Sequence, residues 1–424
     1  MMRARTVAWS RWKEALSGWA AVLTGLVVAQ GMNALALIIV ARRTTPLEYG
    51  QYLGSYGLAS LLMVLPSLGL DGWLLARGTT QRGQTLDLWW SALRVRLGLL
   101  VLWLPAMSVL ALILPPITFP PRLLTLSAVA LAADSVTSLA YASLRNLDRH
   151  RRVTSFQTAG SLALLVATLV LPLEPGRIAW FALTRALVAA GLAVLVSRQM
   201  ITGSERPTAI LPTRSLLHAT RSFMLADAAV SIYLRADLAI VSLFLGPAGT
   251  STYGPALNLI NMSFLVPGAL YFLVVPSLAR AFRHSRQTFN RIGAVQLGVQ
   301  LATGLLLSVT IFILAGPIVR LVYGADYESS IAVLRLLSPL VAAKSINFGL
   351  GALLTTAGLQ ARRTTMQVCV AVFNVCANLV IVRTWGVTGV AIVYVVSETL
   401  LCLGYALVLA NWRRSSGPAA TTAA

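Results

Sequence analysis

Apolar residues along the chain fall into long runs separated by short polar, basic or proline-bearing connections. Counting runs near the roughly 20 residues that a helix needs to cross the hydrocarbon core gives twelve, at about 16–41, 49–76, 88–113, 122–144, 153–173, 178–198, 218–246, 252–279, 292–315, 330–357, 364–382 and 387–411. Pro46, Pro115, Pro116, Pro120, Pro121 and Pro247 mark several of the turns between them. A lipid-exposed backbone must satisfy its own hydrogen bonds, so such runs predict helices. The expected fold class is an all-α integral membrane protein of about twelve transmembrane helices.

Composition agrees: 57% of the 424 residues are hydrophobic and only 11% charged, and the mean hydropathy is +0.77. A net charge of +21 could suggest nucleic acid, but the basic residues are strung along the connections instead of forming one patch with interleaved aromatics, so no nucleic-acid partner is expected. Their distribution instead tests the span count. With the N-terminus inside, 22 of the 34 basic residues lie in even-numbered connections and the two tails, and 6 lie on the other side. That asymmetry follows the positive-inside rule and predicts that both termini are cytoplasmic. Cys369, Cys376 and Cys402 sit inside apolar runs without zinc or redox spacing, and His150, His218 and His284 fall at or near cytoplasmic segments. No metal site and no cofactor is expected. The first apolar run is longer than a signal-peptide core, so it is expected to stay as the first helix.

The longest connection, near ITGSERPTAILPTRSL, lies at the middle of the chain and invites comparison of the halves. One common offset places Pro46 on Pro247, Tyr52 on Tyr253 and Pro66 on Pro267. A second echo, SLRNLDRHRR against TTAGLQARR, falls at a slightly different offset. Two copies of six spans each have the same orientation, which predicts a parallel repeat. The expected body is an N-terminal six-helix lobe at 1–200, a cytoplasmic linker at 201–214, a C-terminal six-helix lobe at 215–412 around a central cleft, and a disordered cytoplasmic tail at 413–424.

VARRTTPLEYGQYLGSYGLASLLMVLPSLGLDGWLLARG resembles the opening signature of the bacterial polysaccharide biosynthesis flippases, in the multidrug/oligosaccharidyl-lipid/polysaccharide exporter superfamily. LRADLAIVSLFLGPAGTSTYGPALNLI, LVYGADYESSIAVLRLLSP and GLQARRTTMQVCVAVFNVCANLVIVRTWGVTGVAIVYVVSE extend the resemblance, in order, over nearly the whole chain. It implies translocation of a polyprenyl-pyrophosphate-linked oligosaccharide from the cytoplasmic to the outer leaflet of a bacterial inner membrane, by alternating access. The partners it implies are the lipid-linked glycan, membrane lipids, a polysaccharide polymerase and glycosyltransferases. Related lipid II flippases generally have fourteen spans, and a count of twelve favours the polysaccharide branch.

Charges inside apolar runs are the candidate chemistry, because they are costly there and need a partner or a use. In span seven, Asp227, Ser231 and Arg235 lie at i, i+4 and i+8 on one stripe, while Asp237 points about 200° away from Arg235. Arg235 can line a cleft and hold a pyrophosphate, whose oxygens a guanidinium matches bidentately, or the charges can pair with neighbouring helices. Asn258 and Asn261 in span eight and Gln30 and Asn33 in span one are each polar pairs at i, i+3, which serve as cleft lining or as interhelical hydrogen-bond glue. Lys344, Arg185, Asp134 and Glu398 interrupt spans ten, six, four and twelve; Asp134 and Glu398 are also candidates for coupling an ion. Arg94, Arg96, Arg335 and Asp71 sit near span ends and are expected to snorkel to the headgroups. Gln367, Asn374 and Asn378 share a face of span eleven and read as packing residues.

Two other classes compete. A cation-coupled exporter of small molecules would favour acidic groups in the cleft, and the acidic and basic candidates are too evenly balanced to decide. A membrane glycosyltransferase needs a sizeable outward loop with acidic or His groups, and only the short turn of Asp326 and Glu328 offers any, so no enzyme is expected.

Overall fold

The computed structural model describes residues 24–80, 84–172, 174–202 and 210–415. The basic N-terminus, the first residues of span one, most of the midpoint linker and the tail beyond Ser415 lie outside the described residues. The described chain is built of helices, with no strand among them. They are α1 (Thr24–Arg43), α2 (Pro46–Leu62), α3 (Val64–Ser67), α4 (Leu70–Thr80), α5 (Thr85–Ile113), α6 (Pro121–Asn146), α7 (His150–Val170), α8 (Ile178–Ile201), α9 (Thr213–Ser263), α10 (Leu265–His284), α11 (Arg286–Val322), α12 (Ser329–Thr356) and α13 (Gln360–Ser415).

Among the described residues nine helices are long and apolar enough to cross a membrane, or ten when the bent Pro46–Ser67 and Leu70–Gly78 pair counts as one span. Two long elements each contain a glycine outside helical geometry, Gly246 in α9 (φ 66°) and Gly386 in α13 (φ 56°). Dividing them there yields twelve spans, the number that the hydrophobic pattern predicts. Pro247 follows the first break and cannot continue the hydrogen-bond ladder.

Local chemistry sets several of these boundaries. Thr45 caps α2 through a capping box: its hydroxyl accepts from the Glu48 N–H at 3.3 Å, and its own N–H donates to Glu48 Oε2 at 3.1 Å. Pro46 then occupies the first turn, where its missing N–H costs nothing. Between α3 and α4 the backbone turns left-handed at Leu68 (φ 46°) and Gly69 (φ 62°). A side chain on Gly69 would collide with the backbone of Phe223 and Met224 on α9, so this bend is also a close helix contact.

The chain divides into two compact units, one ending at Ala228 and the other beginning at Ala229. In the first, α6 lies at the centre, packed against α2, α4, α5, α7 and α8. In the second, α12 holds that position against α10, α11 and α13. The faces are inverted relative to a soluble helix. The buried stripe of α11 includes Gly293, Gln296, Gln300, Gly304 and Ser308, while Val295, Val299, Leu306 and Ile313 are exposed. Small buried residues let helices approach closely without a hydrophobic driving force between them. A Cβ on Gly304 would stand 3.0 Å from the Ala342 Cα of α12.

The repeat is visible in the breaks. α2 ends at Leu62 and α9 at Ser263, which keeps the offset that sets Pro46 on Pro247, and each is followed by a single joint residue, Met63 or Phe264. Further on the offset widens. The left-handed residues Asp148 and Gly358, which close the central helices, share one wider offset with Gly176 and Gly386, which precede the last span of each copy. The longer α11, 37 residues against 29 in α5, accounts for most of the change.

Candidate functional site

At this wider offset, Leu131-Ala-Ala-Asp134-Ser135-Val lies on Val341-Ala-Ala-Lys344-Ser345-Ile. Asp134 on α6 and Lys344 on α12 are therefore counterparts of opposite sign. Each is paired to the last span of its own unit. Arg185 Nη2 on α8 meets Asp134 Oδ2 at 2.6 Å, and Lys344 Nζ meets Glu398 Oε1 on α13. Each unit thus carries one ion pair between its fourth and sixth spans, with the charges exchanged.

The two pairs differ in their surroundings. Glu398 is fully buried and Lys344 14% exposed. Glu398 Oε1 also accepts from the Tyr233 hydroxyl, and Oε2 accepts from Asn347 Nδ2 at 2.6 Å. The Lys344 ammonium lies over the Tyr233 ring at 5.1 Å and the Phe264 ring at 5.7 Å, so its charge is also met by two aromatic faces. This pair is enclosed and saturated.

In the first unit Arg185 is 22% exposed and Asp134 35%, and both line a cavity of about 280 Å³. Gln30 and Asn33 of α1, Gln157 and Ser161 of α7, and Thr137, Ser138 and Tyr141 of α6 share its wall. The Tyr141 hydroxyl and Gln157 Oε1 are buried with no hydrogen-bond partner among the described residues. Arg185 carries five N–H donors and spends those of Nη1 and Nη2 nearest Asp134 on that carboxylate, which leaves others for an anion in the cavity. A polar wall that carries unpartnered buried atoms suits a polar, phosphate-bearing ligand better than an apolar one.

One turn along the same face of α6, Ser138 donates to Asp71 Oδ1 at 2.8 Å. Asp71 Oδ2 in turn accepts from Arg96 at 3.0 Å. Arg96 is fully buried, which corrects the expectation that it snorkels. The cause is the bend between α3 and α4: it leaves the Ser67 carbonyl outside the helical ladder, and Arg96 Nη2 donates to it at 3.1 Å while Nη1 donates to the Ser135 carbonyl at 3.0 Å. Arg94 is exposed and donates to the Leu211 carbonyl at 3.0 Å.

The remaining sequence candidates are dispersed. Arg235 is exposed, Asp227 and Ser231 are half-buried on α9, Asn258 is half-buried and Asn33 is exposed on the cavity wall of the first unit. Asp237 is buried, and accepts from Asn378 Nδ2 at 2.7 Å and from the Tyr253 hydroxyl at 3.5 Å. Asn374 continues the chain, its oxygen accepting from Asn378 at 3.2 Å and its Nδ2 donating to Ser397 at 3.2 Å. The polar face of span eleven is therefore built around a carboxylate; Tyr253, marked in sequence only by the repeat, joins the polar core, as do Tyr233 and Asn347, which were not singled out. Comparing the halves at the wider offset would have pointed to Lys344 and Asp134 as a matched pair. Nothing comparable marks Tyr233 or Asn347, which read as ordinary helix residues. Among the described residues no group of three or more His, Cys, Asp or Glu side chains could hold a metal ion.

The sequence model of a family described as polysaccharide biosynthesis protein matches residues 15–282. No curated protein matches the chain. Among solved structures, the lipid II flippase MurJ in an inward closed conformation superposes with a TM-score of 0.74 at 10% identity, covering 92% of this chain and 87% of that one. An inward-facing multidrug resistance MATE transporter of the MOP superfamily gives 0.71 at 13%, covering 94% of this chain and 100% of that one. A MOP superfamily transporter from Pyrococcus furiosus, described as having a binding pocket of reverse polarity, gives 0.64 at 14%, with 94% of each chain covered. At these identities the likeness is one of fold.

Proposed function

The chain belongs to the polysaccharide biosynthesis protein family, and on that premise we propose that it is a membrane transporter that moves polyprenyl-pyrophosphate-linked oligosaccharide from the cytoplasmic to the outer leaflet by alternating access. The observation that carries this reading is the cavity of the first unit, where Arg185 stands half-held by Asp134 among unpartnered polar atoms. A pyrophosphate offers several acceptor oxygens to a guanidinium, and the amides of Gln30, Asn33 and Gln157 suit sugar hydroxyls. Asp134 keeps Arg185 oriented and compensates its charge while the cavity is empty. The even match of acid and base lets the pair open when an anion arrives, since the phosphate takes over the role of the carboxylate. Arg235, exposed on α9 in the second unit, is a separate candidate anion contact in this reading, and Asp227, Ser231 and Asn258 remain candidate polar contacts.

The transporter works in the bacterial inner membrane with both termini cytoplasmic, beside the glycosyltransferases that make its substrate and the polymerase that uses it. No step requires catalysis. The enclosed carboxylate of Asp237, held by an amide and a phenol, also suits exchange of a proton or small cation, which favours a second reading as a cation-coupled small-molecule exporter. Binding separates the two. Purified protein is expected to bind a polyprenyl-pyrophosphate-linked oligosaccharide in preference to the same glycan without its pyrophosphate lipid, and Arg185→Ala to weaken that binding about tenfold or more, the worth of a charge-assisted contact. Equal binding by wild type and Arg185→Ala, with both folded, would remove this cavity as the substrate site.

A further inference from the structure

A groove in the second unit is lined by neither Lys344 nor Glu398. It runs along the hairpin of α10 and α11, encloses about 390 Å³, and is walled largely by apolar side chains such as Leu270, Val274 and Val295. Two features break that pattern. At the turn end it is bordered by Thr288 and Arg291, both exposed, and Arg283 stands exposed on the same turn. Inside it Gln296 is only 4% exposed, and neither its amide nitrogen nor its oxygen has a partner among the described residues. One turn further, Gln300 does have one, donating to the Pro267 carbonyl at 3.1 Å. An unpartnered primary amide in an apolar wall is costly, so Gln296 is a group built to meet something.

Gln296 lies five residues beyond Arg291, roughly 7.5 Å further along the helix axis. An anionic diacyl phospholipid has that order of groups: a phosphate in the headgroup plane, ester carbonyls just below it, then hydrocarbon. A polyprenyl chain has no hydrogen-bond acceptor at that depth. We propose that this groove binds one anionic diacyl phospholipid, with its phosphate at Arg291 and Thr288, an ester carbonyl accepting from Gln296, and an acyl chain along Leu270, Val274 and Val295. Clustered basic residues at the headgroup plane attract anionic lipid, which fixes the sign of the headgroup. The site is independent of the cargo, and it would make the second unit's stability depend on membrane composition.

The test uses the full chain in a neutral detergent, with bound lipid counted by native mass spectrometry. The probes are phosphatidylglycerol, phosphatidylcholine and a polyprenyl phosphate. Phosphatidylglycerol is expected to bind tightest. Arg291→Ala should weaken it about fivefold, the effect of one basic residue at the headgroup plane, and Gln296→Leu by about the same factor, the effect of one hydrogen bond. Arg320→Ala, at the other end of α11, should bind as wild type. Val295→Trp, on an exposed position and so without risk to folding, should exclude the lipid by filling the groove. The proposal fails if all variants retain phosphatidylglycerol equally, or if phosphatidylcholine binds as tightly. It fails equally if polyprenyl phosphate binds tightest and is indifferent to Gln296→Leu, which would make the groove a site for the substrate's tail.

Discussion

Arg96 and Arg185 are both arginines inside apolar spans, and their environments assign them opposite roles. Arg96 has no exposed surface and three oxygen partners, so its removal leaves Asp71 without its cationic partner, held by Ser138 alone among the described residues, and takes a donor from the Ser67 and Ser135 carbonyls. Breaking a buried pair from one side costs about 3–5 kcal/mol. Arg96→Ala should therefore lower the thermal midpoint and the yield in detergent, and Arg96→Lys should not rescue it, because an ammonium cannot fork to the same acceptors. Lys344→Met should behave likewise, since it leaves Glu398 buried beside Tyr233 and Asn347. Arg185→Ala borders a cavity that water can enter, so it should fold normally and lose ligand binding. Thermal shift and binding, measured on the same preparations, check this division. The sequence marked all of these charges, but nothing in their spacing tells a saturated residue from an open one. That distinction depends on Tyr233, Asn347 and the Ser67 carbonyl, whose roles arise only when helices distant in sequence meet.

At the scale of elements the hydrophobic runs were legible because a membrane helix has to be about as long as the bilayer is thick. Their interruptions were less so. Pro247 announces the break in α9, whereas the bend at Leu68 and Gly69 is marked only by Gly69 and Gly72, and such glycines in a membrane helix serve close packing as readily as bending. The bend exists because α4 closes onto α9, and Gly69 is the one residue type that both tolerates φ 62° and leaves room for the Phe223 backbone. Gly69→Ala should consequently displace α4 and reduce the folded fraction, read by size-exclusion profile and thermal midpoint. Gly358→Ala, left-handed but with open space where its Cβ would go, should cost only the backbone strain of about 1 kcal/mol.

For the whole molecule, the offset that sets Pro46 on Pro247 reveals the repeat in its first two spans and loses it in the rest, because α11 is longer than α5. Restoring the register at the wider offset, where Asp148 meets Gly358, turns two unrelated-looking charges into the exchanged ion pairs of the two units. The position is kept and the sign reversed, leaving the guanidinium on the open cavity of the first unit and the carboxylate enclosed in the second. The distribution of basic residues makes a separate claim about orientation. In a variant with Cys369, Cys376 and Cys402 replaced, a cysteine at Arg320 should react with an impermeant maleimide from outside intact cells, and one at Arg283 only after permeabilisation. The opposite pattern would invert the topology.

The most direct measurement is transbilayer movement of a polyprenyl-pyrophosphate-linked oligosaccharide in proteoliposomes containing the purified chain, followed by access of an impermeant glycan-modifying reagent. The account predicts movement well above that of protein-free vesicles for wild type, and its loss in Arg185→Ala protein that is folded and equally reconstituted. Movement no faster than in protein-free vesicles, or an undiminished rate in Arg185→Ala, would contradict it.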